Sequence, residues 1–144
     1  MRLAVRRLSP DARLPTRSHR DDAGFDLYAA EGATVSAGQR ASVRTGLAIE
    51  IPERHAGLVL PRSGLAAEHG IALANAPGLI DAGYRGEVRV LLLNTDAEQH
   101  FEVSPGYRIA QLLIVRVEAP DVVEVERLAD SERGESGFGS TGRR

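Results

Sequence analysis

The stretch Ala41-Ser42-Val43-Arg44-Thr45-Gly46-Leu47-Ala48-Ile49-Glu50-Ile51 decides the fold class. Its odd positions carry most of the large apolar side chains, a period of two that predicts a strand buried on one face. Gly46 inside that run reads as a bulge. Working outward, similar short runs occur at Leu3 to Leu8, Gly57 to Leu60, Ile71 to Ala76, Val88 to Leu93, Ile109 to Val117 and Val122 to Leu128. Turn chemistry separates them, as in Ser36-Ala37-Gly38-Gln39 and Ser104-Pro105-Gly106-Tyr107. Many short strands joined this way predict an all-β sandwich or barrel. Only Ser63 to Gly70 reads as helical, with Ser63 as its N-cap and Gly70 as its stop.

At 144 residues the chain is expected to form one domain with its own core. The strand pattern dissolves after Leu128, so residues 1–128 read as a single β domain and residues 129–144 as a flexible C-terminal arm. Apolar residues make up 42% of the chain but aromatics only 4%, so the core must be aliphatic. Tyr84 and Phe138 lie in glycine-rich segments, a placement that favours ligand contact over burial. Basic and acidic residues, 18 and 20, are intermixed to a net charge of −2, which argues against a broad footprint for nucleic acid or anionic membrane. A small-molecule partner fits better. Every basic residue is Arg, which compositional bias explains and which also suits bidentate phosphate binding. There is no cysteine, so neither disulfides nor thiolate chemistry operate. No apolar run is long enough to span a bilayer and Met1 to Leu8 is not a signal peptide, so a soluble, cytoplasmic protein is expected.

Four segments carry chemistry. Gly78-Leu79-Ile80-Asp81-Ala82-Gly83-Tyr84-Arg85-Gly86 puts a carboxylate and a phenol around a tight reversal between the runs Ile71 to Ala76 and Val88 to Leu93. Pro61-Arg62-Ser63-Gly64-Leu65-Ala66 puts a guanidinium, a hydroxyl and a glycine amide where the short helix begins, a place that favours an anion. Arg108-Ile109-Ala110-Gln111 adds an Arg and an amide on or near a strand. The tail offers Arg133 and then Phe138-Gly139-Ser140-Thr141-Gly142, a charge, a ring, flexible glycines and two hydroxyls suited to a lid ordered by ligand. Taken singly, each has a plainer account: a solvated hairpin tip, an N-cap beside a surface Arg, a cross-strand ion pair and a disordered tail. The four histidines, His19, His55, His69 and His100, lack metal-ligand spacing and read as surface residues.

Together with Asp22-Ala23-Gly24-Phe25-Asp26-Leu27, and with the hairpin motif extended to begin at Asn75, these segments resemble, in order, the five motifs of the trimeric deoxyuridine triphosphate nucleotidohydrolases, the dUTPases. Gly83 stands where many members have an acidic residue. The resemblance implies a jelly-roll-like β subunit in a homotrimer whose active sites are shared between subunits. It further implies Mg²⁺-dependent hydrolysis of dUTP to dUMP and pyrophosphate, lowering dUTP and supplying dUMP for thymidylate synthesis. Asp81 would activate the attacking water, and Asp26 would reach Mg²⁺ through water. Arg62, Ser63, Gly64 and Gln111 would hold phosphates, with Arg133, Ser140 and Thr141 on the γ-phosphate beside Gly139. Asn75, Gly78, Leu79 and Ile80 would present backbone to uracil, Phe138 would stack on it, and Tyr84 would exclude a 2′-hydroxyl. Arg89 is a further candidate contact, and Arg108 is either a contact or structural. Two other classes stay open: a related dCTP deaminase, marked by ammonia release, and a non-catalytic nucleotide-binding regulator, marked by binding without turnover. The deaminases typically carry a second serine after the Arg-Ser pair, whereas here Gly64 follows Ser63.

Overall fold

The computed structural model describes residues 2–135. Ten strands and one helix follow in order: β1 (Ala4–Arg7), β2 (Gly24–Tyr28), β3 (Ala33–Val35), β4 (Arg40–Glu50), β5 (His55–Leu60), α1 (Ser63–His69), β6 (Ile71–Leu73), β7 (Gly78–Ile80), β8 (Glu87–Asn94), β9 (Phe101–Val103) and β10 (Arg108–Arg116). They form two four-stranded sheets, ordered β1-β4-β8-β6 and β2-β10-β5-β7, and a two-stranded ribbon of β3 and β9. Every pairing is antiparallel. The architecture is the expected all-β, jelly-roll-like packing of short strands around one short helix.

The alternation in β4 buries Val43, Leu47 and Ile49 against Val88, Val90 and Leu92 of β8 and against Leu27, Ile109 and Leu112 of the second sheet. This core is aliphatic, as the composition requires. The register of β4 against β8 slips between Arg44 and Ala48, and Gly46 at the slip has φ +67°. The bulge is held by polar groups: Thr45 Oγ1 donates to the Val88 carbonyl at 2.6 Å, and the Gly46 N–H donates to Glu87 Oε1 at 2.9 Å. At the far end of β8, buried Asn94 donates to the carbonyls of Val35 and Gln99, tying the ribbon to the sheet. In the turn that follows, the N–H groups of Gln99 and Glu98 hold the Asp96 carboxyl below the usual carboxylate range.

Three expectations are corrected. Ser63 does not cap α1: Arg62 takes the extended cap position at φ −91°, ψ 127°, without a side-chain cap bond, and Ser63 is the first helical residue. The extended backbone of Arg62 delays the first helical turn until Ser63. Gly70 does end the helix in the left-handed region, as expected. The run Val122 to Leu128 forms no strand; Val122 is 100% exposed and Leu128 81%. Its alternation supplies a pairing face, but no sheet edge among the described residues receives it. The apolar run at Ile71 to Ala76 is strand only to Leu73, and β2, β3, β7 and β9 are elements that periodicity did not reveal.

Candidate active site

The chain between β6 and β8 builds the first locus. β6 and β8 pair with each other, Leu73 opposite Leu92, yet β7 between them crosses to the other sheet and pairs with β5, Gly78 opposite Val59 and Ile80 opposite Gly57. This excursion opens a cavity of about 300 Å³ between β7 and β8. It is walled by Asn75, Gly78, Leu79, Ile80, Asp81, Tyr84 and Arg89, all seven of the candidates placed on or beside the hairpin. Among the described residues β7 is an edge strand, with β5 on one side and no strand on the other, so one row of its backbone groups is left for a ligand. Gly78 and Ile80 are buried while Leu79 is 65% exposed at the mouth.

The turn after β7 is tightly bonded. The Tyr84 N–H donates to the Asp81 carbonyl at 3.0 Å, and the Tyr84 hydroxyl donates to the Glu87 carbonyl at 3.0 Å. Arg85 donates to the carbonyls of Ala82 and Tyr84, which fixes the loop from outside. Tyr84 is thus aimed by its own hydrogen bond although it is 46% exposed. A Cβ on Gly86 would collide with that phenol, so glycine is demanded there by contact. Gly83 has open space where a side chain would stand and no positive φ, so a larger residue fits there too. Arg89 points outward from β8, donating to Ser42 Oγ at 2.9 Å and lying 3.7 Å from Glu87. Ser42 and Glu87 line the same cavity and were missed in the sequence, because only the β4–β8 register brings them there.

The second locus lies on the other sheet. Asp26 of β2 is 5% exposed. Its Oδ1 lies 3.2 Å from Arg62 Nε and its Oδ2 3.3 Å from Arg108 Nη1, and Arg62 also donates to the Arg108 carbonyl at 3.4 Å. One carboxylate therefore gathers two guanidinium groups. Arg62 Nε and Asp26 Oδ1 stand at ion-pair distance without hydrogen-bond alignment, both enclosed, so this oxygen keeps acceptor capacity. Gln111 sits on β10 between Asp26 and Leu60, and its side chain packs over Gly24. Ser63 and Gly64 open α1 at the surface. Among the described residues no group of three carboxylate or imidazole side chains clusters as a metal cage. A second cavity opens at the guanidinium cluster, walled in part by Tyr28, Arg62, Tyr107 and Arg108, and it shares no lining residue with the cavity beside β7. Arg133 lies in a turn at residues 132–135, closed by the Gly134 N–H on the Ser131 carbonyl, and Phe138, Gly139, Ser140 and Thr141 lie outside the described residues.

A backbone-walled pocket and a guanidinium cluster on an antiparallel β fold define a protein that takes a small ligand, with hydrogen-bonding edges for the one locus and negative charge for the other. The family model described as dUTPase matches residues 10–142. A deoxyuridine 5′-triphosphate nucleotidohydrolase of Thermobifida fusca (strain YX) is 54% identical over 142 residues, covering 99% of this chain and 79% of the relative. That of Mycolicibacterium gilvum (strain PYR-GCK) is 51% identical, covering 97% and 94%. Among solved structures, a Staphylococcus bacteriophage 80alpha dUTPase with dUPNHPP superposes with a TM-score of 0.92 at 33% identity, covering 99% of each chain. A mutant dUTPase from phage phi11 of S. aureus, described with a structural Mg(II) ion, gives 0.83 at 29% identity, covering 88% of this chain and 98% of that one. The chain belongs to the dUTPase family, and the enzyme activity that this assigns is dUTP diphosphatase.

Proposed function

We propose that the chain hydrolyses dUTP to dUMP and pyrophosphate by a water that Asp81 activates, in an Mg²⁺-dependent reaction at sites shared within a homotrimer. The observation that carries this reading is the cavity beside edge strand β7, where Asp81, Tyr84 and an unshared backbone row face one space. Backbone N–H and C=O groups of Gly78 to Ile80 present the donor and acceptor pattern that a uracil edge needs. Tyr84, held by the Glu87 carbonyl, packs against the sugar where a 2′-hydroxyl would stand. Asp81 takes a proton as the water oxygen bonds to the α-phosphorus, the bond from that phosphorus to the bridging oxygen breaks, and pyrophosphate leaves with the electron pair.

Arg62, Ser63, Gly64 and Gln111 hold the phosphates, and Arg108, joined to Asp26, positions Arg62. The residues present fit a hydrated Mg²⁺: a single buried carboxylate, Asp26, with an oxygen that accepts no hydrogen bond, suits an ion held mainly by water and phosphate oxygens. When bound, Mg²⁺ neutralises phosphate charge. The separation of the two loci within one chain supports a site completed by neighbouring subunits, and so do the exposed apolar residues Val122, Val123, Val125 and Leu128 beyond β10. The last motif, with Arg133, Phe138, Gly139, Ser140 and Thr141, acts as the lid. The reaction lowers dUTP and supplies dUMP for thymidylate synthesis, a cytoplasmic role; no helix among the described residues is long and apolar enough to cross a membrane.

Incubation with dUTP, dCTP, dTTP and UTP plus Mg²⁺, assayed for pyrophosphate and ammonia, tests the assignment. Pyrophosphate from dUTP alone is expected, since a 5-methyl group meets the hairpin and a 2′-hydroxyl meets Tyr84. A comparable kcat/KM for UTP or dTTP overturns those roles, and ammonia from dCTP reassigns the chemistry.

A further inference from the structure

A second cavity, of about 390 Å³, is walled by Arg13, Tyr28, Arg62, Gly106, Tyr107 and Arg108. Three guanidinium groups therefore face one space, and Asp26, already shared by Arg62 and Arg108, is the carboxylate beside them. Arg13 lies outside every motif that the family resemblance supplied. Its cation is seated on the Tyr28 ring, 5.8 Å from the centroid, and the Tyr28 hydroxyl is fixed by Thr16 Oγ1 at 2.5 Å. On its other side the guanidinium lies against bare backbone: a Cβ on Gly106, where φ is +85°, would stand 3.0 Å from Arg13 Cζ and Nη2. That turn is closed by the Tyr107 N–H on the Ser104 carbonyl and by the Gly106 N–H on the Ala29 carbonyl. Arg13 makes no ion pair among the described residues. A guanidinium held on two sides, in no ion pair among the described residues and facing two other arginines, is preorganised for a multiply charged anion.

We propose that Arg13 forms an additional phosphate subsite, extending the Arg62–Arg108 row outward to take the pyrophosphate end of a nucleoside triphosphate and the inorganic pyrophosphate released from it. The inference rests on the reading of Arg62 as a phosphate-binding group. A monophosphate, seated at the inner end of the row, does not reach Arg13. The subsite thus favours triphosphate over monophosphate and makes pyrophosphate a product inhibitor.

The test compares the full-length chain with Arg13→Ala, Arg13→Gln and, as a control, Arg17→Ala, whose guanidinium lies 4.0 Å over the Phe25 ring, outside this cavity. Arg13→Ala and Arg13→Gln are expected to weaken inhibition by inorganic pyrophosphate, and to raise the KM for dUTP, roughly tenfold to a hundredfold, the loss of one charged hydrogen bond. Inhibition by dUMP, the melting temperature and the behaviour of Arg17→Ala should not change. Undiminished pyrophosphate inhibition in a folded Arg13 variant overturns the subsite, as does equal weakening of pyrophosphate and dUMP. Calorimetric titration of inorganic pyrophosphate reads the subsite without turnover. Absence of dUTP hydrolysis by the unmodified chain therefore overturns the assigned reaction, while weaker pyrophosphate binding in Arg13→Ala still upholds the subsite.

Discussion

Two residues separate the demands of chemistry from those of folding. Asp81 stands at the rim of the β7–β8 cavity and its side chain accepts no hydrogen bond among the described residues, so its substitution tests catalysis cleanly. Asp81→Asn keeps the shape and removes the base. Its kcat should fall by roughly 10² to 10⁴ while dUTP still binds, measurable by single-turnover kinetics and calorimetry; near-normal turnover would place the base elsewhere. Gly46 tests the opposite demand. A methyl group there would stand 2.8 Å from both Ala12 Cβ and Ser9 Oγ, at φ +67°. Gly46→Ala should therefore cost about 2–4 kcal/mol in denaturant unfolding, through left-handed strain and overpacking together. Gly83→Asp, placed in open space at an ordinary φ, should leave the same midpoint unchanged. Equal losses at the two positions would mean that space and φ do not decide these sites.

At the scale of elements, legibility followed strand length and distance to the partner. β4 was readable because it is long enough for its alternation to show, and even its bulge was visible as a lone glycine. β3, β7 and β9 span three residues each, too few for any period, and exist because neighbours pair with them. β7 is the consequential case. Gly78, Leu79 and Ile80 read as part of a hairpin tip, and the structure brings the turn residues Asp81 and Tyr84 to one cavity. That the segment leaves one sheet for the other is set by its register with β5, and no local signal carries that. Conversely Val122 to Leu128 alternates like a strand yet has no partner among the described residues, since pairing is a property of two segments. The arm beyond gives a test at this scale. Truncation after Glu132 should spare folding, because the last strand ends at Arg116, but lower kcat on the order of 10²-fold by removing Arg133 and Phe138. Phe138→Ala alone should do less harm, and full activity of the truncated chain would make the arm a passive tail.

For the whole molecule, the decisive geometric fact is that the hairpin cavity and the cavity at the guanidinium cluster share no lining residue, while the proposed reaction needs the groups of both at once. Closed threefold assembly would resolve this if each site takes its hairpin from one subunit and its guanidinium cluster from another, with the arm reaching it from a chain other than the one that supplies the hairpin. Asp81→Ala subunits and subunits truncated after Glu132 would then each be inactive alone yet complementary in mixture. A competent site needs its base from a truncated chain and its arm from an Asp81→Ala chain, so random mixing of equal amounts makes about a quarter of sites competent under cyclic symmetry. Denaturing and refolding the two variants together, with subunit exchange verified by mass-tagged chains, should restore activity in that proportion. A mixture that exchanges subunits and stays as inactive as its parents would require base and arm to come from one chain, which overturns the shared site.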